Sequence, residues 1–206
     1  MTRLYAASAA ALVCALMAGT AWFAFGERSN DPYADCRTAV VAGGSGSIGG
    51  PFTLVDQSGN PVTDQQVFSK PALVYFGYSF CPDVCPVDNS RNAEAVDILE
   101  EQGFDVTPVF ITVDPGRDTP EVLADYAANL HPRMIALSGT PEQTKAAADA
   151  YRAYSKLPAD VSGDYAVDHS TFTYLILPET GFVEFFRREV TADQLATKVG
   201  CFLAKV

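Results

Sequence analysis

The segment from Pro71 to Pro86 constrains this chain more than any other. Pro71 to Tyr78 runs with almost no polar interruption, then passes through Ser79 and Phe80 into Cys81-Pro-Asp-Val-Cys85-Pro. A short apolar run rich in β-branched and aromatic residues reads as a central strand covered on both faces. Such a strand forces the rest of the chain to wrap around it. The two cysteines, at i and i+4, leave that strand and enter the next helix, read from Pro86 to Gln102 and stopped by Gly103. Their spacing is one residue longer than the Cys-x-x-Cys of dithiol redox motifs. If Cys85 and Pro86 begin the helix, Cys81 faces its unpaired N–H groups and positive dipole end, which favour a thiolate. A thiolate is both a nucleophile and a soft-metal ligand. The longer loop lets the sulfurs close into a disulfide or spread around one ion; the glycine- and proline-rich turns flanking the pair suit an exposed site better than a buried structural disulfide.

Around this segment the chain alternates strands and helices. Phe52 to Val55 reads as a strand, Ser58-Gly59-Asn60-Pro61 as a turn, and Val62-Thr63 resumes. Val106 to Val113 is another apolar, β-branched strand, and Met134 to Leu137 a third short one. Thr119-Pro120-Glu121 and Thr140-Pro141-Glu142 each place a capping hydroxyl before a proline, a helix-start signal. The second of these helices is expected to reach about Tyr154. Residues 155–168 read as a loop, Thr171 to Leu177 and Phe182 to Phe186 as a hairpin, and Ala192 to Leu203 as the last helix. Alternation gives parallel pairing, and the terminal hairpin adds antiparallel strands. The expected fold is α/β, a thioredoxin-like mixed sheet flanked by helices.

The amino end is set apart. Leu4 to Phe25 holds no charged residue, Arg3 precedes it, and Glu27, Arg28, Asp31 and Asp35 follow. The run is long enough for one transmembrane helix, amino end inside and bulk outside. The rival is a cleaved signal peptide, with Gly19-Thr20-Ala21 as a passable cleavage site. Cys14 within the run reads as an inert membrane thiol. The expected organisation is a membrane anchor at 1–26, a Gly- and Ser-rich tether at 27–50 and a folded domain at 51–206. The net charge of −11, with no Lys/Arg cluster, argues against a nucleic-acid partner. An acidic, anchored, exported domain points to the bacterial inner membrane with its bulk in the periplasm, where disulfides persist.

Two thiolates suit Cu(I), whereas Zn(II) usually takes four ligands. Imidazole is the obvious third ligand, and the chain has two histidines. His131, before Pro132, reads as an ordinary surface histidine. His169 follows the 155–168 loop, which could fold over the cysteine pair. From the residues alone it stands between ligand and structural histidine. Asp168 is a candidate to orient the imidazole. In VDPGRDTP, Val113 to Pro120, Asp118 and Thr119 read as caps of the next helix and Arg117 as the partner of an acid, with partner docking as the alternative. Cys36 and Cys201 are candidates for a second disulfide tying the tether to the carboxyl end.

FGYSFCPDVCP, VDPGRDTP and DHSTFTYLILP occur here in an order and spacing that resemble the Sco/SenC family, from about Pro51 to the end. Members of that family are membrane-anchored, thioredoxin-fold copper proteins that help to assemble the Cu(A) centre of cytochrome c oxidase. The resemblance implies that Cys81, Cys85 and His169 bind copper, as Cu(I) and in some states Cu(II). The implied role is a metallochaperone for the Cu(A)-bearing oxidase subunit, working alongside other periplasmic copper chaperones or thiol reductants. A thiol–disulfide oxidoreductase that reduces the Cu(A)-site cysteines uses the same two sulfurs and stays open, as does a redox or copper sensor.

Overall fold

The computed structural model describes residues 12–22, 31–37 and 44–206. The chain divides into two compact units, residues 1–37 with Lys205, and residues 38–204 with Val206. In the first, residues 12–22 form a helix, α1, and a run of turns at 32–36 carries an Arg37–Asp31 ion pair. Among the described residues no helix is long and apolar enough to cross a membrane. The sequence expectation of a span over Leu4–Phe25 therefore has no counterpart in the described residues, and residues 4–11 and 23–25 lie outside them.

The second unit is built on a seven-stranded sheet ordered β2-β1-β5-β4-β3-β8-β9. Its strands are β1 (Thr53–Asp56), β2 (Pro61–Thr63), β3 (Ala72–Gly77), β4 (Thr107–Thr112), β5 (Ile135–Ser138), β8 (Thr173–Leu177) and β9 (Gly181–Phe186). Every residue of β3 is buried, as its unbroken apolar run requires. It pairs in parallel with β4 and antiparallel with β8. Parallel neighbours need a crossover, and the helices α3 (Val84–Glu101) and α4 (Pro120–Leu130) supply the two that join β3 to β4 and β4 to β5. The mixed sheet flanked by helices agrees with the expected fold class.

Helix starts follow the hydroxyl-then-proline signal. Thr119 caps α4, and Thr140 caps α5 (Pro141–Ala150) through a reciprocal bond with Gln143. Thr191 does the same for α6 (Ala192–Leu203) with Gln194. A one-turn helix, α2 (Asp64–Val67), was not foreseen. Helix α5 ends at Ala150 rather than near Tyr154. Arg152 turns left-handed at φ 52, and the Ala153 N–H reaches back to the Ala148 carbonyl. Within the stretch read as tether, Ser45–Ser47 forms a 3-10 turn, and the Gly49 N–H donates to the Ala150 carbonyl at 2.8 Å. Residues 155–168 are not all loop. Ser155–Lys156 (β6) pairs antiparallel with Asp168–His169 (β7), placing Ser155 opposite His169.

The core is continuous across the sheet and rich in large side chains. Tyr75, Phe76, Phe110, Leu137 and Ile176 are all fully buried. Truncating Phe110 to Ala should cost about 3–5 kcal/mol by deleting a buried ring, whereas Thr191→Ala, which removes only a cap, should cost about 1 kcal/mol. Urea unfolding of the two variants measures the contrast.

Candidate metal centre

Three segments meet where β3 ends. Cys81 sits on the turn after β3, Cys85 in the first turn of α3, and His169 at the end of β7. One ligand atom from each of the three lies within 4.8 Å of the others, the single such group among the described residues. The His169 Nε2 is 3.2 Å from the Cys85 Sγ. Of the two histidines, His169 is the one brought to the cysteine pair. His131 is elsewhere, and it is not on the surface: it is 4% exposed, its Nε2 lies 3.1 Å from the Asp97 carboxylate, and its Nδ1 accepts from the Arg133 N–H.

Helix α3 starts unusually. Its N-cap, Asp83, has φ −134 and ψ −79 and makes no side-chain capping bond. The Cys85 N–H instead donates to the Cys81 Sγ at 3.4 Å. The sulfur thus stands in for a capping oxygen, at the end where the helix dipole favours negative charge. Burial pushes the Cys81 thiol up, but hydrogen bonds from the Cys85 and Asp83 backbone N–H groups, together with the Cys85 and Tyr78 side chains, hold it below the ordinary thiol range. Cys85, with no exposed surface, is driven the other way: burial lifts its thiol far above that range. Both sulfurs are buried, against the expectation of an exposed pair, and both are free thiols rather than a structural disulfide. Cys14 is also free, while Cys36 and Cys201 are disulfide-bonded.

The imidazole of His169 is fixed on several sides. Burial lowers its pKa, so the neutral ring, the form that ligates a metal, is favoured, although backbone contacts with Ser170 and Phe76 work the opposite way. The Nδ1 lies 2.9 Å from the Ser170 carbonyl. The expected orienting group, Asp168, is exposed and pairs along β6 with Lys156, so a backbone carbonyl takes the role assigned to its side chain. Tyr75 and Tyr78 meet the ring edge-to-face, with centroids 6.1 and 5.7 Å away.

Other contributors carried no signal in the sequence. Gly77 ends β3, and a Cβ there would stand 2.9 Å from the Tyr75 ring, 3.0 Å from the Cys85 Sγ and 3.1 Å from the Phe110 ring. Only a residue without a side chain lets the Cys85 sulfur approach the strand this closely. Asp88 and Asn89, from which the sequence drew nothing, are buried and secure the start of α3. The Tyr75 hydroxyl donates to Asp88 at 3.0 Å, and the Asn89 amide donates to the Cys85 carbonyl at 2.9 Å. In VDPGRDTP, Thr119 alone caps α4. Asp118 accepts from the Ser79 N–H at 3.0 Å and from the Thr112 hydroxyl, tying the cysteine turn to β4.

The donor set, two soft sulfurs and one imidazole, suits Cu(I) and leaves Zn(II) one ligand short. The asymmetry of the thiols also suits disulfide exchange, with Cys81 as attacking and Cys85 as resolving sulfur.

Comparisons with known proteins bear on this geometry. The family model described as SCO1/SenC matches residues 41–204. Protein SenC of Rhodobacter capsulatus is 54% identical over 173 residues, covering 84% of this chain and 78% of that protein. The mitochondrial SCO1 homolog 1 of Arabidopsis thaliana is 42% identical over 157 residues, covering 76% of this chain but 47% of its own length. The crystal structure of Arabidopsis thaliana ScoI with copper bound superposes with a TM-score of 0.72 at 40% identity, covering 76% of this chain and 99% of that one. The chain belongs to the SCO1/SenC family.

Two outcomes test the geometry. Iodoacetamide at neutral pH should modify Cys81 at least ~10-fold faster than Cys85, since each unit of pKa separation changes the thiolate fraction about tenfold; peptide mass mapping at short times reads the order. Gly77→Ala should cost about 1–3 kcal/mol by overpacking, read by urea unfolding of the reduced protein.

Proposed function

We propose that this chain is a copper metallochaperone that carries copper on Cys81, Cys85 and His169 and delivers it to the Cu(A) centre of cytochrome c oxidase. The observation that carries the reading is the convergence of these three donors, from three separate segments, to within 4.8 Å. Membership of the SCO1/SenC family supports it, and so does the copper in the Arabidopsis relative's structure. Copper is cargo here. It leaves by ligand exchange, with thiols of the oxidase subunit replacing Cys81, Cys85 and His169 in turn. The partner is the Cu(A)-bearing subunit, with periplasmic copper chaperones or thiol reductants upstream.

The same reading puts the chain at the bacterial inner membrane on a single amino-terminal span, with residues 51–206 as the copper-binding domain in the periplasm. The uncharged run from Leu4 to Phe25 behind Arg3 supports the anchor. Disulfide-bonded Cys36 and Cys201 support an oxidising compartment.

A second reading rests on the unequal thiols. Cys81, held below the ordinary thiol range, would attack a disulfide of the copper-free partner to form a mixed disulfide, which Cys85 would then resolve. The partner leaves as a dithiol and this chain keeps the disulfide, which a periplasmic thiol reductant restores.

Copper loading of the reduced full chain under anaerobic conditions separates the two. One copper per chain is expected, with Cys81→Ala and Cys85→Ala abolishing tight binding and His169→Ala weakening it. No bound copper, or wild-type affinity in His169→Ala, would contradict the copper reading. The pH dependence has a defined sign. Because burial keeps the Cys85 thiol protonated in the metal-free protein at neutral pH, copper must displace that proton. Affinity should therefore rise about tenfold per pH unit across the neutral range and fall as the solution is acidified, as measured by competition with a Cu(I) chelator at several pH values.

A further inference from the structure

Arg117 belongs neither to the cysteine turn nor to the strand that carries His169, yet it touches the surroundings of both. Its Nε bonds the buried Asp114 carboxylate at 2.6 Å. Its guanidinium carbon lies 3.5 Å from the centroid of the Tyr165 ring, 5.0 Å from that of Phe80 and 5.5 Å from that of Tyr78. Phe80 and Tyr78 flank the turn that presents Cys81. Tyr165 stands four residues before His169, on the segment between β6 and β7. Its hydroxyl donates to the other Asp114 oxygen at 2.9 Å, so the ion pair and the ring close into a single cluster. The Arg117 side chain is 17% exposed. A cation stacked on an aromatic face this far from water is attracted by the ring more strongly than an exposed one.

We propose that Arg117 is the positioning residue for His169. By holding Tyr165 against the cysteine turn, it fixes the 157–167 segment and so sets the imidazole within reach of the Cys85 sulfur. The rest of the local structure leaves this role open. The two-residue β6–β7 pairing holds His169 itself and Asp168, and on the carboxyl side the Ser170 N–H donates to the Tyr154 carbonyl at 2.9 Å. Further towards the amino side the tie is the Tyr165–Arg117–Asp114 cluster. A two-residue ladder by itself is a weak restraint. Asp118 performs the matching task on the other side, tying Ser79 to β4. Consecutive residues of one motif thus hold the two halves of the donor set. Arg117 touches no donor atom, so its effect must pass through His169.

The inference rests on His169 being the third copper ligand, and the test separates failure of one from failure of the other. Four chains are compared in full length: wild type, Arg117→Gln, His169→Ala and the double variant, with Arg117→Lys and Tyr165→Ala as supporting substitutions. Arg117→Gln should lower Cu(I) affinity about tenfold, the size of one lost buried cation–π contact. In the His169→Ala background it should cause no further loss. Arg117→Lys keeps the charge but not the planar stack, so it should fall between wild type and Arg117→Gln, and Tyr165→Ala should match Arg117→Gln. A copper-free readout stands beside these. With only two histidines in the chain, carbon-13 labelling of histidine resolves the His169 ring protons, which lie in the ring-current fields of Tyr75 and Tyr78. Arg117→Gln should move these signals towards free-imidazole positions and leave those of His131 in place. Equal losses from Arg117→Gln with and without His169, or unmoved His169 signals, would overturn the positioning role while the copper reading stands. Wild-type affinity in His169→Ala would overturn the third-ligand reading, and this inference with it.

Discussion

Helix α3 begins without a side-chain cap, and the sulfur of Cys81 occupies the place of the missing oxygen. Much of the site follows from that contact. An open helix start leaves backbone N–H groups in need of an acceptor, and an anionic sulfur satisfies them better than a neutral thiol. The extra residue between the cysteines matters here, because Cys81 can remain in the turn as acceptor while Cys85 enters the helix as donor. One sulfur is stabilised as an anion at the mouth of the site, and the other is held protonated in the core beneath it. A symmetric pair would be either a staple or a chelate. This pair is poised to take up a soft cation or to attack a disulfide.

The sheet explains how a third donor reaches the same place. Strand β3 delivers the cysteines at its carboxyl end. Strand β8 runs antiparallel beside it, so the chain entering β8 arrives at that same end carrying His169. Neighbouring strands thus bring together residues 84 positions apart without any long structured arm. The cost is that His169 lies on a short two-stranded ribbon outside the main sheet. Its orientation depends on what packs around that ribbon, namely the Ser170 carbonyl, two tyrosine rings and the cluster around Arg117.

The parts legible in the sequence were those that obey strong local rules. The unbroken apolar run could only be a central strand, and the Thr-Pro-Glu starts fell on the caps of α4 and α5. Three motifs in order selected Cys81, Cys85 and His169 among five cysteines and two histidines. The parts that were not legible depend on proximity. Gly77 looks like any glycine in a strand until the Cys85 sulfur is seen 3.0 Å from where its Cβ would be. Asp168 was a candidate to orient His169 because a carboxylate is visible in a sequence, whereas the Ser170 carbonyl beside the His169 Nδ1 has no residue-type signature. His131 looked like a surface residue because the carboxylate that its Nε2 meets, Asp97, comes from α3, 34 positions away. Arg117 was correctly read as the partner of an acid, but its reach to Tyr165 and Phe80 spans three loops.

X-ray absorption at the copper edge of the reduced, copper-loaded chain tests the central claim most directly. Two sulfur ligands and one imidazole nitrogen are expected, with the nitrogen lost in His169→Ala while both sulfurs remain. A site with only oxygen and nitrogen ligands, or two sulfurs with no nitrogen in the wild-type chain, would contradict it.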